Sequence, residues 1–353
     1  MSTKGPAHGA SRKLDRMENS SLESLIFGFV PSQILFTAVS LGMPDVLADG
    51  RLASAEVAGR AGTHPRSTYR LLRGLATIGV VAEPTPDRFE LTDFGQPLRD
   101  GVPGSVRSLV LHFCSEQKWQ AWGQLRHTVT TGENAFGRLF GMGVFDVNAG
   151  DPTAAAIFNQ AMSETTRQAL KAIVTGFDFA RYAEIVDVGG GDGTLLAAIL
   201  EANPNVHGTV MDSPEGTRDT AETLAGHGVL DRSRVVVGDF FESVPAGGDL
   251  YLLKTVLHDW DDDHATRVLA SCRRAIPEDS TLLVVEHVLP EVARPGEDVR
   301  DVLSDIHLMV QTGGCERTES MFRELLETTG FELNAVGDRL DGSGYRFLEA
   351  TPV

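Results

Sequence analysis

EIVDVGGGDGTLLAAIL, residues 184–200, decides the fold of this chain. An apolar run rich in β-branched residues closes on Asp187. Gly189, Gly191 and Gly193 follow at alternate positions, and a helical run opens near Thr194. Glycine is needed where a backbone turns sharply and where a ligand presses against it. The helix start behind such a turn offers unpaired N–H groups to polar or anionic groups. A dinucleotide fingerprint would carry its third glycine at position 194, which here is Thr194, so the spacing departs from that pattern.

Working outward, further short apolar runs alternate with helical stretches: HGTVMD (207–212), RVVVGD (234–239), DLYLLKTVL (249–257) and TLLVVEHV (281–288). Continuous apolar strands separated by helices predict a parallel sheet covered on both faces. GFELNAV and GYRFLEATPV, around Gly342 and Gly344, predict a terminal hairpin on the sheet edge. Before residue 180 the apolar residues recur at helical spacing instead, as in SLESLIFGFV and STYRLLRGLATIG. Residues 51–98 read as helix, turn, helix and a short hairpin with PTPDR at its tip, a winged-helix pattern with Arg66, Arg70 and Arg73 on its second helix.

That pattern admits DNA recognition or a helical scaffold on the same fold. Residues 1–110 hold 12 Lys+Arg against 11 Asp+Glu, whereas a recognition module carries a clear basic excess. The whole chain of 353 residues has a formal charge of −18, which argues against binding a phosphate backbone. No nucleic-acid partner is expected. Cys114, Cys272 and Cys315 form no CxxC pair, which speaks against a disulfide framework or structural zinc and for a reducing cytoplasm. The stretch Leu22 to Leu47 is interrupted by Pro31, Gln33, Gly42 and Pro44, so no membrane span is expected. The start of the chain is small, polar and basic, and is read as a flexible tail over residues 1–20.

The GxGxG turn with an acid two residues before it resembles motif I of S-adenosylmethionine (SAM) methyltransferases. Asp212 ends the second strand, where a carboxylate can accept from a ribose diol, and Asp239 ends the third, where one can accept from an adenine amino group. Phe240 stands beside it to cover the ring. His258 follows the fourth strand in KTVLHDWDDDHA, Glu286 closes the fifth, and Glu316 lies in GGCERTES. Together with the N-terminal helices, these motifs resemble the plant-type small-molecule O-methyltransferases, including bacterial relatives acting on aromatic polyketides and phenazines, over nearly the whole chain.

The resemblance implies an α/β fold: a mainly helical winged-helix dimerisation domain over 21–110, a helical linker and substrate-lining region over 111–180, and a Rossmann-like SAM domain with a mostly parallel seven-stranded sheet over 181–353. It implies His258 as general base with Glu286 and Glu316 flanking the imidazole. Histidine, near 6.5 when unperturbed, would hold a lone pair at working pH and take the proton of a phenol, whose pKa is about 10. Asp187, Gly189, Gly191, Asp212, Asp239 and Phe240 would hold the cofactor, joined by Lys254 and, against the adenine, Trp260. SAM would leave as S-adenosylhomocysteine (SAH). No metal is expected: Asp261 to Asp263 are read as acids favoured at a helix N-terminus, and His287 as structural. IFNQAMSETT (157–166) resembles the family's substrate-lining helix, with Phe158 and Met162 one turn apart as pocket walls. His307 and Gln311 fall at further acceptor positions, where the plant enzymes tend to carry Met and Asn. Trp119 and Trp122 are read as helical core.

The expected function is therefore a cytoplasmic, homodimeric SAM-dependent O-methyltransferase acting on an aromatic hydroxyl in specialised metabolism. Residues Leu22 to Phe36 would bury an apolar face against the twin subunit. Two alternatives stand beside it. A relative could keep the SAM pocket but hydroxylate, decarboxylate or methylate carbon or nitrogen. A ligand-responsive winged-helix regulator is the other.

Overall fold

The computed structural model describes residues 22–353 and divides them into two compact units, one ending at Ser115 and the other spanning Glu116–Val353. The tail expected over residues 1–20 lies outside the described residues.

The first unit comprises α1 (Leu22–Ile26), α2 (Phe29–Ser40), α3 (Met43–Val46), α4 (Ser54–Ala61), α5 (Pro65–Thr77), the antiparallel hairpin β1 (Val81–Thr85) and β2 (Arg88–Leu91), and α6 (Arg107–Phe113). Gly62, in the left-handed region, ends α4 and lets the chain turn into α5. Val57, Leu72, Leu75, Val80 and Phe89 close the core beneath helices and wing. This is the winged-helix arrangement that the sequence predicts. Its three arginines are exposed, and Arg73 pairs with Glu83 of the wing at 3.5 Å.

The start of this unit is unusually apolar outside. Leu22, Leu25, Ile26, Phe27 and Phe29 are all at least half exposed or close to it (49–80%). Leu22–Ser40 spans 19 residues at mean hydropathy 1.5, long and apolar enough by composition to cross a membrane. The sequence reading set this segment aside because of Pro31 and its polar neighbours; neither prevents it from being helical, apart from the break between α1 and α2. Such a face needs cover.

The second unit opens with helices α7 (Glu116–Trp122), α8 (Leu125–Thr131), α9 (Ala135–Phe140), α10 (Val144–Gly150) and the long α11 (Pro152–Gly176). Strands and helices then alternate through β3 (Glu184–Val188), α12 (Thr194–Ala202), β4 (His207–Asp212), α13 (Thr220–Gly226), β5 (Ser233–Val237), β6 (Leu250–Lys254), α14 (Asp262–Ala275) and β7 (Thr281–Glu286). The chain finishes with β8 (Val288–Leu289), α15 (Val299–Gln311), β9 (Arg317–Thr318), α16 (Glu319–Thr328), β10 (Phe331–Val336) and β11 (Arg346–Pro352).

The seven-stranded sheet has the order β10-β11-β7-β6-β3-β4-β5, with β11 antiparallel to both its neighbours and the rest parallel. Along β6, Leu250 and Leu252 enter the core on one face while Tyr251 and Leu253 enter the core on the other. Both faces being buried is why these strands carry unbroken apolar runs. The strand order reverses beside β3, whose neighbours are β4 and β6, and ligands of open α/β sheets bind at such a switch point, beyond the carboxyl ends of the strands. The third parallel strand stops at Val237, two residues short of the predicted end, because the chain turns at Gly238; Asp239 is exposed in the following loop.

Candidate active site

The glycine loop crosses the end of β3 as a tight turn. Gly189, Gly191 and Gly193 all have positive φ (73°, 56° and 76°), a region costly for other residues. A Cβ at Gly189 would stand 2.7 Å from Val256, whereas at Gly191 it would meet nothing within 4 Å. The first glycine is thus required by packing and the second leaves the loop open to a ligand. Asp212, at the end of β4, fixes the loop by accepting from the Gly191 N–H at 2.8 Å and from the Ser213 N–H at 2.6 Å. Burial pushes its carboxyl up in pKa, and those two bonds oppose the shift.

Asp187 is 2% exposed and its Oδ2 has no hydrogen-bond partner among the described residues. Burial pushes it up to about 7, with Lys254 pulling it back. Lys254, at the end of β6, is lowered to about 8 by burial, opposed by Glu286 and Asp187, and its Nζ donates to Thr255 Oγ1 at 3.0 Å. Thr255 has φ 52°, a strained conformation for a β-branched residue of the kind that collects at functional sites.

A cavity of about 510 Å³ opens over these strand ends. Its lining includes all eight residues expected to hold the cofactor: Asp187, Gly189, Gly191, Asp212, Asp239, Phe240, Lys254 and Trp260. Phe158 and Met162 of α11 line it as well. The size lies within the range of small-molecule sites, about 300–1,000 Å³. The sequence reading missed several neighbours. Ser163 bonds Asp192 of the glycine loop, and Asn159 Nδ2 donates to the Glu215 carbonyl at 2.6 Å, so α11 is tied to the cofactor rim. Their helical spacing from Phe158 and Met162 was the available signal. Phe145 stacks on Trp260 with ring centroids 5.2 Å apart, while Phe241 meets the same ring edge-on at 4.7 Å.

His258 stands next to this cavity rather than in its lining, on a 3₁₀ turn (Leu257–Asp259) just beyond β6. Its Nδ1 lies 3.4 Å from Glu286 Oε2 and 3.3 Å from Glu316 Oε1. Glu286, the last residue of β7, also organises the turn: its Oε1 accepts from the backbone N–H groups of Val256, Leu257 and His258 at 3.0, 3.1 and 3.4 Å. Glu316 receives the Ser304 hydroxyl at 2.9 Å. Arg317, fully buried, donates to the carbonyls of Leu257 and Trp260, both at 2.9 Å, and to Asp262 Oδ1 at 2.8 Å. A Cβ at Gly314 would overlap the His258 carbonyl oxygen. The segment 314–317 therefore packs directly under the histidine turn.

Burial alone would lower His258, but Glu286, Glu316 and Asp259 together outweigh it and hold the imidazole up at about 10. This corrects the expectation of an ordinary histidine near 6.5: two carboxylates buried at Nδ1 favour the cation. Burial pushes Glu286 up, while His258 outweighs burial and holds Glu316 below its ordinary value. The three ligand atoms lie within 4.8 Å of one another, a spacing that could also hold a metal ion.

The remaining expected residues fall on α15. His307 Nδ1 accepts from the Trp122 indole N–H at 3.3 Å, and Gln311, 1% exposed, donates to the Lys118 carbonyl at 3.3 Å. His307 is lowered to about 4 by burial, Lys118 and His258. Trp122 packs at the edge of a core cluster with Phe136 and Val144, whereas Trp119 is 42% exposed. Asp261 caps α14 by accepting from His264 N–H, as acids at a helix start should. His287 faces away from His258, paired with Asp301 at 3.1 Å and packed on Tyr345.

A glycine-loop cavity at the switch point of a seven-stranded sheet, with a histidine facing two buried acids beside it, has the form of a small-molecule site of a Rossmann-like enzyme. Residues 122–332 match the family model of the O-methyltransferase domain and residues 23–98 that of the O-methyltransferase dimerisation domain. The chain is 41% identical over 332 residues, 94% of its length and 88% of the relative's, to O-demethylpuromycin-O-methyltransferase of Streptomyces alboniger. It is 38% identical to a phenazine O-methyltransferase of Lysobacter antibioticus, covering 95% of this chain and 96% of that one. The solved structure of an O-methyltransferase from neocarzinostatin biosynthesis, in complex with SAM and 2-hydroxy-5-methyl naphthoic acid, superposes with TM-score 0.80 at 30% identity, over 92% of this chain and 96% of that one. The chain belongs to the O-methyltransferase family and is a SAM-dependent O-methyltransferase.

Proposed function

We propose that this chain methylates a hydroxyl of an aromatic small molecule in specialised metabolism, with His258 as the group that takes the hydroxyl proton. The observation that carries the reading is the His258 imidazole, its Nδ1 facing Glu286 and Glu316 while its Nε2 lies 4.0 Å from Asp259 Oδ2, beyond hydrogen-bond reach. Nδ1–H is thereby oriented by the acids and Nε2 is left for the acceptor.

The residues fit SAM. The buried, unpartnered Oδ2 of Asp187 suits the ammonium of the cofactor's amino-acid end, and Lys254 its carboxylate. Asp212 receives the ribose hydroxyls, Asp239 and Phe240 receive the adenine with Trp260 beside it, and Gly189 and Gly191 let the backbone approach. When bound, SAM supplies a methyl group on a sulfonium, electrophilic enough for an oxygen to take. Phe158 and Met162 hold the acceptor ring against the cavity wall. His258 accepts the acceptor's proton at Nε2. A phenol near 10 and an imidazole at about 10 exchange a proton at little cost, so phenol with neutral imidazole and phenolate with imidazolium interconvert readily. The productive state carries one proton between the two groups. Glu286 and Glu316 stabilise the cation so formed.

Metal is not needed for this chemistry. The exposed apolar face of α1 and α2, within the segment matched to a dimerisation domain, supports a homodimer covered there by a second copy. A cytoplasmic enzyme with neither nucleic-acid nor membrane partner accords with the free cysteines and the net charge of −18.

Incubation with methyl-labelled SAM and a panel of aromatic hydroxy compounds, read by mass spectrometry, tests the reading. Labelled methyl ether is the expected product. Label on carbon or nitrogen, or an oxidised or decarboxylated product, would replace O-methylation by the alternative chemistry.

A further inference from the structure

Two of the side chains lining the cavity bury a polar atom with no hydrogen-bond partner among the described residues: Asp187, at Oδ2, and Asn148, at Nδ2. Asp187 has its use at the cofactor's ammonium. Asn148, on α10, has none yet, although leaving a buried amide N–H unpaired is costly. An apolar residue would fill the same space without that cost.

The helix that carries the amide is fixed at both ends. Asp146 Oδ2 accepts from the Gly143 N–H at 3.2 Å where α10 begins. Asp151 Oδ1 accepts from the Thr153 and Ala154 N–H groups at 2.8 and 3.2 Å where the chain turns into α11. Phe145 and Asn148 are three residues apart and share a face of α10. Phe145 stacks on Trp260, whose edge-on neighbours are Phe240 and Phe241. The face that carries Asn148 is therefore the one turned to the aromatic wall proposed for the adenine.

The chemistry of the ligand narrows the choice. Asp187, Asp212 and Asp239 can only accept when ionised, which suits the ammonium, the ribose hydroxyls and the adenine amino group. Lys254 donates, which suits the carboxylate. The adenine ring nitrogens N1, N3 and N7 are acceptors that none of these four side chains serves. A neutral amide N–H is a fitting donor for a neutral aromatic nitrogen.

We propose that Asn148 Nδ2 donates to a ring nitrogen of the adenine and so helps select the purine of the cofactor. The inference rests on the adenine placement at Phe240 and Trp260 given above. Its test measures, by calorimetry, the binding of SAH and of its 1-deaza, 3-deaza and 7-deaza analogues, each with one ring nitrogen replaced by C–H. The native enzyme, Asn148→Leu, Asn148→Asp and Phe240→Ala are compared, and thermal unfolding checks that each variant is folded.

In the native enzyme at least one analogue binds about 10-fold more weakly than SAH, as loss of a hydrogen bond from a buried donor requires. In Asn148→Leu, SAH itself weakens by about that factor and the preference over that analogue disappears, the mark of a direct contact in a double-mutant cycle. Asn148→Asp weakens SAH at least as much, since a carboxylate has no proton to donate. Native binding that is indifferent to all three analogues overturns the inference, as does a set of preferences that all survive Asn148→Leu. Full SAH affinity in Asn148→Asp, which would show the amide accepting through Oδ1, overturns it as well. If Phe240→Ala then also binds SAH unweakened, the adenine placement itself has failed; if that variant is weakened about 10-fold, the placement stands and only the role of Asn148 is wrong.

Discussion

The glycine-loop rim proposed to hold the cofactor and the proposed base cluster are neighbours built in opposite ways. The rim is backbone and strand ends: positive-φ glycines, an acid near the end of β3, another at the end of β4, a loop acid after β5, all within residues 187–240. The base cluster is side chains brought together from positions 258, 286 and 316, with Ser304 and Arg317 behind them. The rim is fixed by local turn geometry. The cluster depends on long-range packing and on the mutual electrostatics of buried acids, so its chemistry is tunable by single side chains.

Breaking each region should therefore give distinct signatures. The largest effect is expected from His258→Ala: kcat falls about 10²–10⁴-fold, the usual contribution of a proton-transfer group, while SAH affinity measured by calorimetry stays within twofold. Arg317→Leu should follow. It strands the buried carbonyls of Leu257 and Trp260, and thermal or urea unfolding should show a loss of about 3 kcal/mol with a parallel fall in kcat. On the rim, Asp212→Ala should weaken SAH about 10–100-fold by freeing the Gly191 loop, without changing the pH dependence of the chemical step.

Glu316→Gln sharpens the comparison further. His258 is held up partly by this carboxylate, so its removal lowers the imidazole pKa. Below that pKa an excess proton must leave, and kcat/KM for the acceptor rises about tenfold per pH unit. The rising limb should accordingly move to lower pH by about 1–3 units in the variant. The smallest effect is none: dialysis against a chelator leaves the rate unchanged, although His258, Glu286 and Glu316 have the spacing of a metal site. A rate lost on chelation and restored by a divalent ion would reassign the cluster.

The same contrast explains what the sequence made legible. Alternate glycines, apolar runs and acids at or near strand ends are short-range patterns, and they singled out Asp187, Gly189, Gly191, Asp212 and Asp239 before any coordinates, whereas Lys254, Trp260, Phe158 and Met162 came only from the family resemblance. The winged helix was readable for the same reason. His258, Glu286 and Glu316 carry no local pattern that joins them, and only the family resemblance linked them. Arg317 was quoted in GGCERTES without a role, because nothing local shows that a charged residue will be fully buried beneath a turn about 60 positions earlier. Lys118 sits in a polar-looking run, EQKWQAW, whose burial depends on α9 and α15. The basicity of the His258 imidazole was not legible either, since a pKa depends on which charges fold next to the ring.

The claim that two buried acids make His258 a strong base is tested most directly by NMR titration of its imidazole nitrogens, assigned by comparison with His258→Ala. The account predicts a ring that stays protonated through neutral pH and titrates near 10, with Nδ1 still carrying its proton above that point. A midpoint at or below 6.5 would contradict it.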